Sequence, residues 1–213
     1  MQTDELVRML ARGLEPTPPG AAQRRWTLAL AASVPIAGGL MLVVLGLQPD
    51  LQRVATLPMF WLKLMLPLAL CAGALQAASR LARPGATLGA SAVWLATPVL
   101  VIWGVAALAL LNAAPAARPT LLFGDTWQVC PLYIASLSVP MLMATLWALR
   151  GLAPTRLRLA GAAAGLLSGA AAAGVYALHC PELAAPFIAV WYLLGILLPA
   201  VVGALVGPRV LRW

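Results

Sequence analysis

Tyr176-Ala177-Leu178-His179-Cys180-Pro181-Glu182 joins two long apolar runs, at about residues 158–178 and 185–206, and it holds the single His of the chain, one of three Cys and one of six acidic residues. Read as a loop between two membrane helices, this stretch decides the fold. Each flanking run has about 20 residues, enough to cross a hydrocarbon core of about 30 Å at about 1.5 Å per residue. Lipid offers no partner to an unpaired backbone polar group, so such a run must be helical.

The same pattern recurs at roughly 26–47, 58–79, 87–112 and 129–149. The 213 residues are 62% hydrophobic and 9% charged, against about 25% charged in a soluble domain. That balance excludes a soluble globular domain. The expected fold is all-α: a polytopic membrane protein with a six-transmembrane-helix bundle over 26–213, preceded by a short cytoplasmic segment over 1–25. The first 25 residues are polar, so no cleavable signal peptide is expected. Pro35, Pro67, Pro98, Pro140 and Pro199 fall inside the runs, where neighbouring helices can satisfy the carbonyls they free.

The net charge of +8 does not point to direct nucleic-acid binding, because the basic residues flank apolar runs instead of clustering on a polar domain. Membrane lipid is their expected surrounding. Arg8, Arg12, Arg24, Arg25, Arg80, Arg83, Arg150, Arg156, Arg158, Arg209 and Arg212 fall on one side, and only Arg53 and Arg118 lie in the opposite loops. The positive-inside rule therefore places both termini in the cytoplasm.

Thr3 to Gly13 reads as a short helix, with Thr3 as N-cap, Asp4 and Glu5 at the positive end of the dipole and Gly13 as its stop. Leu6, Met9 and Leu10 share one face, and Arg8 and Arg12 lie on or beside a polar strip. A helix this short is marginal alone. Three readings stand: docking in a partner's groove, a frayed terminus, or a helix lying on the bilayer. Glu15-Pro16-Thr17-Pro18-Pro19-Gly20 then reads as a semi-stiff, extended linker.

Cys130, in Trp127-Gln128-Val129-Cys130-Pro131, stands at the mouth of the fourth run as Cys180 stands before the sixth. Both belong to the outer interface, where a bacterial envelope is oxidising and disulfides persist. A disulfide between them would close a loop of about 50 residues and constrain the chain by roughly 4 kcal/mol in the entropy model. His179 and Glu182 are placed to tune a thiolate, or Cys130, Cys180 and His179 to hold a soft metal; the plainer reading is two isolated buried thiols. Lys63, about five residues from the outer end of the second run, reads first as snorkelling to the interface and second as a partner for Asp125 or Glu182. Cys71, deep in that run, reads as a small apolar residue, and Trp127 and Tyr133 as an interfacial belt. Gly161, Gly165 and Gly169, at four-residue spacing, mark close helix packing, either within the bundle or as a homo-oligomer seam.

No Walker motif, HExxH, CxxC or nucleophile elbow occurs, and no charge lies near the centre of a run. Catalytic residues, a cofactor and a firm metal site are not expected. A membrane thiol redox enzyme or a small transporter are the alternatives to a regulator.

Lys63, Trp127-x-x-Cys130, Pro140, Leu149-Arg150-x-x-Ala153-Pro154, the Gly161 to Gly169 face, Tyr176-x-x-His179-Cys180-Pro181-Glu182, Trp191-Tyr192 and Arg212-Trp213 together resemble the NrsF family, negative regulators of sigma-F. The resemblance covers nearly the whole chain and is most specific from Tyr176 to Glu182. It implies a six-span anti-sigma factor of the bacterial inner membrane that binds an extracytoplasmic-function sigma factor and releases it under envelope stress. It also implies that Cys130 and Cys180 sense oxidants or heavy metals, and that the segment from Thr3 to Arg12 supplies or shares the sigma contact with the inner loops.

Overall fold

The computed structural model of the protein describes residues 3–11 and 20–212. Arg12, Gly13, the expected linker up to Pro19, and Trp213 lie outside the described residues, as do the side chains of Leu6, Arg8 and Leu10.

The described residues form helices and no strands. In chain order these are α1 (Thr3–Ala11), α2 (Ala21–Val44), α3 (Leu51–Val54), α4 (Pro58–Leu81), α5 (Ser91–Asn112), α6 (Arg118–Phe123), α7 (Cys130–Arg150), α8 (Leu157–Tyr176) and α9 (Ala185–Val210). Six of them, α2, α4, α5, α7, α8 and α9, are long and apolar enough to cross a membrane. The expected helix at the N-terminus forms, with Asp4 and Glu5 in its first turn.

Helix ends follow from local chemistry. Pro58 and Pro131 open α4 and α7 within their first two positions, where a missing N–H costs nothing. α2 stops at Val44, earlier than the apolar run suggests, because Gly46 takes φ +77 and both Leu45 and Gly46 donate to the Met41 carbonyl. α5 starts four residues later than expected. Gly85 and Gly89 have φ +73 and +51, backbone that no helix contains, and the Arg80 Nε bonds the Thr87 carbonyl between them at 3.1 Å. The prolines named above lie inside their helices, and Pro208 joins them in α9.

α8 is the central helix. It packs on α4, α7 and most extensively on α9. A Cβ built on Gly161, Gly165 or Gly169 would collide with the backbone carbonyls of Gly203, Pro199 and Ile196 respectively. The small residues therefore seat α9 against α8, backbone to backbone. This corrects the homo-oligomer seam proposed for Gly161, Gly165 and Gly169: that face is filled within one chain. By contrast α5 is peripheral, with only Ser91, Ile102 and Ala106 buried among its residues.

The buried side chains divide into two clusters along the bundle. One gathers Met41, Leu66, Cys130, Ile134, Tyr176, Cys180, Phe187 and Tyr192 near the loop that holds Cys180. The other gathers Trp26, Leu81, Leu149, Leu167 and Leu211 at the arginine-bearing end, where the Arg25 guanidinium stands 5.2 Å over the Trp147 ring.

Candidate functional site

The site lies where α4, α7, α8 and α9 meet the 177–184 loop. After Tyr176 the chain turns sharply, and the N–H groups of His179 and Cys180 both reach the Tyr176 carbonyl at 3.0 Å. Pro181 lacks an N–H and ends the turn. The Cys180 carbonyl is thereby left for an outside donor. On the facing helix, the Cys130 N–H bonds the Thr126 carbonyl at 2.9 Å as α7 begins. Both cysteines are 0% exposed, and both are free thiols. They lie in the same buried cluster, close enough for each to act on the other. Cys71 is apart, its sulfur 3.8 Å from the Leu167 carbonyl farther along α4.

Lys63 does not snorkel. It is 0% exposed, and its Nζ donates to the Cys180 carbonyl at 2.6 Å and stands 5.4 Å over the Tyr192 ring. A buried ammonium costs several kcal/mol if left without partners. Here its direct partners are a carbonyl and a ring face, not a carboxylate, and the two thiols lie beside it. The second sequence reading, a pairing with Asp125 or Glu182, is also corrected, because the Glu182 carboxylate is engaged elsewhere. Its Oε1 accepts from the Asp125 N–H at 2.7 Å and from the Thr126 hydroxyl at 3.4 Å. Gly124, at φ +52, leaves the space that this carboxylate fills.

The Cys180 thiol is drawn below its ordinary value, first by its interaction with Cys130 and then by the Lys63 charge, against the opposing effect of burial. The thiolate is the reactive form of cysteine. Replacing Lys63 by Met, similar in length and uncharged, removes the positive charge and is expected to move the pH profile of Cys180 alkylation upward. Mass spectrometry of the Cys180 peptide across a pH series reads this, and an unshifted profile would show that the ammonium does not act on the sulfur.

His179 is turned to the other side of the loop. Its Nδ1 lies 3.0 Å from the Gly46 carbonyl, a contact that needs the proton on Nδ1, and the Gln48 N–H bonds the neighbouring Leu178 carbonyl at 3.1 Å. Among the described residues, no three of His, Cys, Asp and Glu gather closely enough to hold a metal ion. The soft-metal set of Cys130, Cys180 and His179 is therefore not assembled.

Two parts of the site go beyond what the residue pattern indicates. Trp127 is more than a belt residue: it packs against Phe123 and Trp191 with ring centroids 5.5 and 5.0 Å away, and the Trp191 Nε1 donates to the Leu122 carbonyl at 2.9 Å. These contacts, with those of Glu182, fasten the 113–129 loop to α9 and to the 177–184 loop. The other is the π turn Ile188–Tyr192 inside α9, which carries Tyr192 to Lys63. The Ala189 carbonyl in that turn accepts from the Trp103 Nε1 at 3.1 Å.

At the N-terminus, Met9 is exposed, and the rest of the proposed partner-binding set, Leu6, Leu10, Arg8 and Arg12, falls on side chains outside the described residues.

The family described as "Negative regulator of sigma F", NrsF, matches residues 10–213. A protein named "Probable anti-sigma-F factor NrsF" from Azospira oryzae is 51% identical over 213 residues, covering all of both chains. An "Anti-sigma-F factor NrsF" from Caulobacter vibrioides is 41% identical over 224 aligned positions, again covering all of both. No solved structure matches.

Proposed function

The chain belongs to the NrsF family of negative regulators of sigma F, and from that premise we propose that it is a membrane anti-sigma factor governed by its thiol pair. It holds an extracytoplasmic-function sigma factor inactive at the inner membrane and releases it when envelope stress changes Cys130 and Cys180. In this reading it is a regulator and not an enzyme. Residues 1–25 form the cytoplasmic contact segment and 26–213 the transmembrane sensor, with both termini in the cytoplasm as the arginines require.

The observation that carries the sensing half of the proposal is the buried meeting of Cys130, Cys180 and Lys63. Two adjacent free thiols beside an ammonium form a place where oxidation changes charge and connectivity together. Cys130 opens α7, Cys180 links α8 to α9, and Lys63 belongs to α4. A change among them is felt by four helices that run to the arginine-bearing end. For the signal to arrive, the two states of the bundle must differ in affinity for the sigma factor.

The test is recovery of the sigma factor with full-length protein from detergent extracts, with and without a thiol oxidant. Wild type is expected to retain different amounts in the two conditions, and Cys130→Ser and Cys180→Ser to abolish the difference. Equal retention by wild type in both conditions would remove the thiol mechanism. No sigma factor in either condition would remove the anti-sigma reading itself.

A further inference from the structure

At the arginine-bearing end, α2 and α4 diverge and leave a cavity of about 430 Å³ between them. On α2, Gln23 stands toward the helix start and Trp26 and Leu30 lie progressively deeper. On α4, which runs the opposite way, Leu75 is deep, Ser79 is one turn nearer the end, and Arg83 lies just past it at the rim. Gln23 and Arg83 thus bring polar groups to the open end, beside the apolar Ala22, Pro84 and Leu152, while Leu30 and Leu75 make the deep end apolar. Among the described residues, no acidic side chain lines the cavity. Trp26 is 5% exposed, and its indole N–H is buried without an acceptor among the described residues, an arrangement that costs free energy until an acceptor arrives.

We propose that this cavity binds one anionic phospholipid, its phosphate at Arg83 and its acyl chain along Leu30 and Leu75. The guanidinium gives a phosphate a charge-assisted, bidentate partner, and a phosphate or ester oxygen supplies the acceptor that Trp26 lacks. Leu30 lies nine residues into α2, about 13 Å along the axis at about 1.5 Å per residue, a depth that suits an acyl chain and not a water-soluble ligand. The larger groove between α5 and α9, about 790 Å³, is lined by apolar side chains including Leu95, Trp103 and Leu193, with no charged residue among the described residues that line it. It offers acyl contact without headgroup choice.

Native mass spectrometry of the full-length protein in detergent tests this, with phosphatidylglycerol and phosphatidylcholine of equal chain length and with glycerol 3-phosphate as the headgroup alone. One phosphatidylglycerol is expected to be retained about tenfold better than phosphatidylcholine, whose phosphate offers Arg83 the same contact but whose quaternary ammonium sets a like charge near the guanidinium, and glycerol 3-phosphate is expected not to be retained. Arg83→Gln, at an exposed position, should erase the preference without changing the melting temperature of lipid-free protein. Trp26→Phe keeps the ring, loses the N–H, and should lower retention of both lipids several-fold. Equal retention of the two lipids by wild type, or an unchanged preference in Arg83→Gln, overturns the proposal. Retention of glycerol 3-phosphate as strong as that of the lipid would make this a free-phosphate site and overturns it also. A rise in phosphatidylglycerol binding on deletion of residues 1–19 would assign the cavity to the N-terminal segment and overturns lipid as its occupant.

Discussion

Replacing Gly165 by Leu is expected to leave little or no folded protein. A Cβ at this position meets the Pro199 carbonyl and the Ala200 Cα, backbone atoms that cannot rotate away. Overpacking a core commonly costs about 1–3 kcal/mol when side chains can adjust, and here only a separation of α8 from α9 relieves the clash. That separation would undo the neighbouring contacts of Gly161 with Gly203 and of Gly169 with Ile196. The measurement is the yield of monodisperse protein in size-exclusion chromatography after solubilisation. Gly104→Leu, where an added Cβ meets nothing within 4 Å, is the control and should purify as wild type does. Normal behaviour of Gly165→Leu would show that α8 and α9 are not in backbone contact.

The second large effect concerns α1. If its apolar face seats in a groove of the sigma factor, Leu10→Asp puts a charge into apolar surroundings, at a cost of several kcal/mol where no partner is available. Sigma recovery should fall by about two orders of magnitude or more, since each ~1.4 kcal/mol is tenfold. The membrane bundle should still insert, because α1 precedes every spanning helix. Arg8→Ala should act more weakly and in a salt-dependent way if Arg8 lies on the rim. Equal recovery by wild type and Leu10→Asp would move the contact to the inner loops.

The six spans were legible because the demand of lipid for apolar, hydrogen-bonded segments is written in composition, with no need of long-range contacts. Their ends were less legible. Gly46, Gly85 and Gly89 set them through positive φ, which a hydropathy pattern does not reveal. The nearness of Cys130 and Cys180 could be anticipated from their matching positions at helix mouths. The direction of Lys63 could not: a lysine near a span end has water within reach, and only the Cys180 carbonyl freed before Pro181, together with the Tyr192 ring, turns it inward. The spacing of Gly161, Gly165 and Gly169 announced a close approach without naming the approaching helix. The bond from the Asp125 N–H to Glu182, 57 residues away, and the π turn Ile188–Tyr192, which contains neither Gly nor Pro, left no trace in the sequence pattern.

The burial of the thiol pair bears on kinetics. With both thiols wholly buried, a reagent reaches sulfur only when the surrounding structure opens locally. Modification then proceeds through a rare open population. At low reagent concentration the rate is the open fraction multiplied by the intrinsic reactivity and the concentration. At high concentration it reaches a plateau at the opening rate, whatever the reagent. A brief pulse of oxidant is thus discounted relative to a sustained one of the same total dose once the plateau is reached. In the sensor proposed above, the time base of the response would then be the opening rate of the protein and not the chemistry of the oxidant.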